Sequence, residues 1–134
     1  MQVGEYLFKS PNVNFSNKYA GGGYLSTPSD MVRFANSLLN NILITVDSKE
    51  TMWSPVTLNN GEMNPENYAL GFRVGQDDLG RFVHHGGKSV GGYSFLLIYP
   101  DLNVVVAFST NVTPSGNSFD RLHEAKKVVR LFVE

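Results

Sequence analysis

Apolar residues recur at two different spacings along this chain, and the change of spacing separates helix-forming from strand-forming sequence. Within residues 28–39, Met31, Phe34, Ala35, Leu38 and Leu39 fall at i, i+3, i+4, i+7 and i+8, the stripe of an amphipathic helix lying on a core. Its start is written in Thr27-Pro28-Ser29-Asp30: a hydroxyl able to cap, a proline suited to the first helical position, and a carboxylate where unpaired amides need an acceptor. Asn40-Asn41 ends it. A second, shorter helix is predicted over residues 47–53, capped by Asp47 or Ser48 and stopped before Pro55. Residues 1–19 are irregular and interrupted by Pro11, which predicts a short strand or an extended arm at most. Residues 58–67 carry Asn59-Asn60-Gly61 and Asn64-Pro65, the chemistry of a surface loop.

From residue 68 onward, β-branched and aromatic residues gather in short runs. Residues 68–74, 81–84, 93–99 and 103–110 predict four strands, parted by Gly, Pro, Asp and Asn. Asp77-Asp78-Leu79-Gly80 reads as the turn of one hairpin, and Pro100-Asp101 turns another strand back. Residues 93–99 and 104–108 are apolar throughout instead of alternating, so both faces of the sheet's centre must be covered. One cover is the closing segment, residues 118–133, a predicted helix with Leu122, Ala125, Val128, Val129 and Phe132 on one side and Arg121, Lys126, Lys127 and Arg130 on the others. The expected fold class is α+β, an antiparallel β-sheet with flanking helices.

Composition narrows the function classes. The 134 residues suit one compact domain, and a 42% hydrophobic share excludes disorder of the whole chain. Eleven Lys and Arg against twelve Asp and Glu leave a net charge of -1, and the longest basic run is Lys126-Lys127, so no nucleic-acid face is expected. The absence of cysteine excludes disulfides, thiolate metal sites and a cysteine nucleophile. No apolar run approaches the roughly 20 residues of a membrane-crossing helix. Residues 1–20 hold no signal-peptide core, so no export segment is expected in this chain.

Candidate chemistry concentrates in residues 82–94, Phe-Val-His-His-Gly-Gly-Lys-Ser-Val-Gly-Gly-Tyr-Ser, where four glycines follow a histidine pair between two apolar strands. Glycines let a backbone approach a ligand closely and aim bare amides into a cleft; the alternative is an ordinary glycine-rich strand connection. Gly87-Lys88-Ser89-Val90-Gly91 satisfies Gly-x-Ser-x-Gly, but a nucleophile elbow needs a strand, a sharp turn and a helix, and here a strand is expected to follow. Ser89 therefore ranks last as a nucleophile. His84 and His85 point to opposite faces of a strand and, with His123, lack companions at ligand spacing, so no metal or other cofactor is expected. His123 reads as a solvated residue of the closing helix. The sequons Asn14-Phe15-Ser16 and Asn111-Val112-Thr113 carry no weight without an export signal, and Pro114 follows the second.

Three blocks, taken in order, resemble the serine β-lactamase-like family, which groups class C-type β-lactamases, penicillin-binding peptidases and related esterases. They are Tyr-Ala-Gly-Gly-Gly-Tyr-Leu-Ser-Thr-Pro-Ser-Asp-Met at residues 19–31, Tyr68-Ala69-Leu70-Gly71-Phe72, and His85-Gly86-Gly87-Lys88-Ser89-Val90-Gly91-Gly92-Tyr93 with the trailing Tyr99-Pro100 and Thr110-Asn111. The resemblance is to that family's C-terminal portion, which implies a single partial domain over residues 1–134. An active-site strand of the family carries Lys or His, one further residue and Gly, matched here by His85-Gly86-Gly87. By resemblance, His85 offers a positive or hydrogen-bonding group to substrate or proton transfer, Gly87 leaves the strand bare, and the backbone amide of Lys88 is an oxyanion-hole donor.

Two family elements are missing from these residues. No lysine has a serine three positions before it, and no tyrosine has an asparagine two positions after it. A serine hydroxyl is a poor nucleophile without an adjacent base, so the resemblance implies that both lie upstream of Met1 and that the chain alone hydrolyses nothing covalently. The expected function is the C-terminal segment of a serine hydrolase acting on β-lactams, peptides or esters, with a small-molecule or peptide substrate held only together with the N-terminal part. The alternative is a non-catalytic binding or self-associating module of the same fold. A missing half would expose strand edges, so a homo-oligomer is expected. Family members often work in the bacterial cell envelope.

Overall fold

The computed structural model describes residues 2–3, 6–112 and 119–133. Two short strands, β1 (Gln2–Val3) and β2 (Tyr6–Leu7), pair antiparallel, and a single turn of helix, α1 (Tyr19–Gly22), follows. Then come α2 (Pro28–Leu39), α3 (Val46–Met52), the strands β3 (Arg73–Asp77), β4 (Gly80–Ser89), β5 (Gly92–Tyr99) and β6 (Val104–Thr110), and α4 (Arg121–Val133). The four long strands form one antiparallel sheet in the order β3-β4-β5-β6. Each strand pairs with its sequence neighbour, so tight turns suffice to connect them. The α+β class expected from the sequence is the class observed.

Both faces of the sheet are covered, as the continuously apolar strands require. Period-two alternation sends Val83, Leu96 and Ile98 to one face, where they meet Ala35 and Leu38 of α2 together with Trp53 and Phe72. Phe82, Phe95, Leu97 and Tyr99 go to the other face, against Ala125 and Val129 of α4. Trp53, Leu97, Ile98 and Tyr99 are fully buried.

The helix starts follow their capping chemistry. Thr27 accepts from the Asp30 amide at 3.1 Å and begins α2 as predicted. The cap of α3 is Thr45, which accepts from the Ser48 amide at 3.2 Å; Asp47 and Ser48 therefore lie inside the first turn instead of capping it. The expected start of α4 at Ser118 lies outside the described residues. Its first turn is closed by the Asp120 carboxylate, which accepts from the amides of Leu122 and His123.

Three expectations need correction. Residues 68–74 do not make one strand: the Ala69 amide donates to the Phe72 carbonyl at 2.7 Å and Gly71 takes φ 83°, so a tight turn occupies the segment and β3 begins only at Arg73. The strand expected at residues 81–84 runs on to Ser89, because every residue of the glycine-rich stretch has a partner on β5. The helical stripes are narrower than the periodicity implied. Phe34 is 46% exposed, since α2 packs along Met31, Ala35, Leu38 and Leu39, and Phe132 is 77% exposed, since α4 packs along Leu122, Ala125, Val129 and Val133.

One polar knot ties the β3–β4 turn to the sheet and to α4. The buried Tyr99 hydroxyl donates to Asp77 Oδ2 at 2.7 Å, Lys126 Nζ lies 2.8 Å from the same oxygen, and the Leu79 amide donates to Asp77 Oδ1. Burial alone pushes the Asp77 carboxyl up, but these donors outweigh it and hold it below the ordinary carboxylate value. Burial and the adjacent Asp77 charge raise the Tyr99 hydroxyl. The ionised Asp77 thus stabilises the fold above the usual carboxylate range, and that contribution fades as pH falls through its lowered folded value.

Replacing Tyr99 by Phe should cost about 1 kcal/mol at neutral pH, and less once the pH has fallen through the lowered Asp77 value; urea unfolding across a pH series from 7 downward measures the difference. Gly75 faces Phe82 across the β3–β4 pair, and a Cβ there would sit 2.2 Å from the ring. Gly75→Ala should therefore destabilise the protein by about 1–3 kcal/mol through overpacking, read as a lowered Tm.

Candidate functional site

The two tight turns at the ends of β4 decide what its backbone can offer. Asp77 pairs with Gly80 across two residues, and Ser89 pairs with Gly92 across two more. A pair closed by so short a loop must be of the mutually hydrogen-bonded kind, and such pairs recur every second residue. The backbone groups of Gly80, Phe82 and His84 therefore turn toward β3, and those of Val83, His85, Gly87 and Ser89 toward β5. β3 ends at Arg73, opposite His84. Gly86 and Lys88 continue the series past that point, so their N–H and C=O groups face outward along an edge that no described strand covers.

Side chains obey the complementary alternation. His85, Gly87 and Ser89 stand on the α2 face, and His84, Gly86 and Lys88 on the α4 face. His85 is exposed, and its Nδ1 lies 2.6 Å from the Gly71 carbonyl, with the Tyr68 hydroxyl 3.4 Å away. A carbonyl only accepts, so Nδ1 carries the proton and Nε2 is left for an incoming group. The turn at residues 69–72 that cuts β3 short is thus the same feature that orients the histidine.

His84 has the opposite surroundings. It lies between the rings of Phe82 and Phe95, at 5.9 and 5.4 Å between centroids, and its Nδ1 is buried without a hydrogen-bond partner. Burial, aided by the positive charges of Arg73, Lys126, His85 and Arg121, lowers its pKa to about 4. The adjacent histidines cannot share a metal ion, since they project to opposite faces.

Of the residues singled out from the sequence, His85 and the Lys88 amide come together on one edge of β4. Gly87 lies between them, where an added Cβ would stand 3.2 Å from Ser94 Oγ; the tighter glycine is Gly86, whose Cβ would meet the Phe95 ring at 2.8 Å. Ser89 ends β4 and is followed by a two-residue turn into β5, so the strand–turn–helix of an elbow is absent at that position. His123 is exposed on α4. Sequence reasoning missed three contributors. Tyr68 and Gly71 stood in a quoted block with no role attached, and they position His85. Arg121, placed only as a polar residue of α4, reaches the Gly87 carbonyl at 3.4 Å. No spacing rule in a single sequence joins residues 34 positions apart.

Comparison with known proteins supplies relatives. The Beta-lactamase family model matches residues 3–130. The chain is 31% identical to the serine beta-lactamase-like protein LACTB, mitochondrial, of Bos taurus, over 82% of its own length and 24% of that protein's. The Homo sapiens protein of the same name matches with the same identity and coverage. A penicillin-binding protein of Bacillus subtilis (strain 168) is 33% identical over 64% of this chain and 19% of that protein. The chain thus spans about a quarter or less of the length of these relatives.

Native-state hydrogen exchange should find the Gly86 and Lys88 amides less protected than those of His85 and Gly87, which the β5 pairing shields. His84→Phe should flatten the acid side of the stability curve. The unfolded imidazole takes a proton near pH 6.5 while the folded one resists it down to about pH 4, so the wild type loses stability as pH falls through that window and the variant does not. Thermal melts at pH 7, 5.5 and 4 measure it.

Proposed function

The chain belongs to the Beta-lactamase family, and we propose that it supplies one wall of an acyl-transfer site in a serine hydrolase acting on β-lactams, peptides or esters. The observation that carries this reading is the uncovered half of β4. There the Lys88 amide points outward as a donor for an oxyanion, and His85 stands beside it with Nδ1 tied to Gly71 and Nε2 turned to hydrogen-bond substrate or relay a proton. An extended substrate laid along residues 86–88 gains main-chain hydrogen bonds as an added strand would. Gly87 keeps the face beside His85 clear.

The nucleophile is not among these 134 residues in the family's form, since no Ser-x-x-Lys occurs in them. In this reading the acylated serine and its base belong to protein outside this sequence, and the present residues form a partial domain. The second reading, a non-catalytic module that binds through the same edge, rests on that same lack. Self-association belongs to both: among the described strands β6 is the last of the sheet, carries Val104, Val105, Val106, Ala107 and Phe108 between two helix layers, and has no charge or proline along it.

The 134-residue chain, incubated with a fluorophosphonate or a fluorescent penicillin, should show no adduct in intact-mass spectrometry; a stoichiometric adduct on one of its own hydroxyls would overturn the proposal. A blocked, extended dipeptide ester should slow exchange of the Lys88 and Gly86 amides selectively. Unchanged exchange at saturating ester counts against the strand-edge site in both readings.

A further inference from the structure

We infer that the face of β4 turned away from His85 carries a second ligand site, one that takes a small organic anion: a carboxylate or phosphate borne on a flat apolar body. A cleft of about 580 Å³ opens there between β4, β5 and the start of α4. That volume lies within the range of small-molecule sites, roughly 300–1,000 Å³. Tyr93, Phe95 and Phe119 give it aromatic walls, and Arg73, Lys88 and Arg121 line it with positive charge. Gly86 leaves its floor bare, so the Phe95 ring is the surface a ligand would meet where any other residue would place a side chain.

The charges in this cleft are poorly matched by the protein itself. Of the three cations, Arg73 is paired with Glu66 at 3.2 Å; no described carboxylate pairs with Lys88 or Arg121. Lys88 Nζ lies 5.6 Å and Arg121 Cζ 4.9 Å from the centre of the same Tyr93 ring. Two cations gathered around one ring repel each other, and an anion within reach of both relieves that repulsion. Two carboxylates also line the cleft: Glu66 is the one paired with Arg73, and Asp120 caps α4 through Oδ1, which accepts from the Leu122 and His123 amides, and pairs with neither Lys88 nor Arg121. His84 also lines the cleft; its partnerless Nδ1 is shut off from the open space, so the ring adds to the aromatic wall. Aromatic walls and two cations without a carboxylate partner together describe a carboxylate or phosphate on an apolar body better than they describe a sugar or a cation.

The site uses side chains of the α4 face, Lys88 and Arg121, whereas the acyl-transfer reading uses the outward main chain of residues 86–88 and His85 on the other face, so a change confined to these side chains leaves the Lys88 amide in place. It is tested on the 134-residue chain by NMR titration with benzoate, with inorganic phosphate as the anion lacking a flat body and benzyl alcohol as the body lacking a charge. Benzoate should shift the signals of Lys88, Tyr93 and Arg121 saturably, raise the pKa of His84 by offsetting the cations around it, and bind more weakly as salt is added. Phosphate should bind more weakly than benzoate, and benzyl alcohol should not saturate. The double variant K88Q/R121Q should lose roughly tenfold to a hundredfold in benzoate affinity, whereas Arg33→Gln, on exposed α2, should lose nothing. The proposal is overturned by absence of saturable shifts at these residues, by benzyl alcohol binding as well as benzoate, or by benzoate affinity that ignores salt. Should the double variant fail to fold, Lys88→Gln alone and the salt dependence decide the matter.

Discussion

The site depends on a stagger of partners: β4 is paired by β5 from Val83 to its end at Ser89, but by β3 only as far as His84. Past that residue the strand is held straight from one side and open on the other, which is the condition for a backbone to serve as a rigid row of donors. Rigidity and openness ordinarily oppose each other, since an unpaired peptide segment would wander and a fully paired one has nothing left to offer. The turn at residues 69–72 reconciles them. It stops β3, and it places the Gly71 carbonyl where it fixes His85.

Much of this architecture was legible in the sequence. Thr27-Pro28 with the i, i+3, i+4 stripe located α2, and the unbroken apolar runs of β5 and β6 announced a sheet covered on both faces. The extent of β4 was not legible, because Gly86 and Gly87 weaken any strand signal; they stay extended only through pairing with Phe95 and Ser94, a long-range effect that local propensity does not contain. The break at residues 69–72 was hidden for the converse reason. Tyr68, Leu70 and Phe72 alternate like a strand, and only the positive φ of Gly71 bends them into a turn.

The candidate site divided in the same way. His85 and Lys88 were marked by the block they stand in, whereas the partners that orient or charge their surroundings, Gly71, Tyr68 and Arg121, come from other elements. Helix amphipathicity said of Arg121 only that it lies off the apolar side of α4. Its position at the first turn of α4 brings it over Tyr93 and to the Gly87 carbonyl, so it belongs to the β4 surroundings as much as to its own helix.

Alternation along a single strand also separates the two histidines more completely than any difference in residue type would. His84 and His85 are neighbours in the chain, yet one sits between two phenylalanine rings with its pKa driven to about 4, and the other is exposed with a ring nitrogen anchored to a carbonyl. A slip of one residue in the β4–β5 register would exchange them, burying the hydrogen-bonding imidazole and turning Gly86 and Lys88 inward. The Val90-Gly91 turn prevents that slip: Gly91 takes φ 85°, and a Cβ there would stand 2.7 Å from Ser10. A side chain at Gly91 therefore strains the turn that sets the register, and through the register it reaches both faces of the site at once.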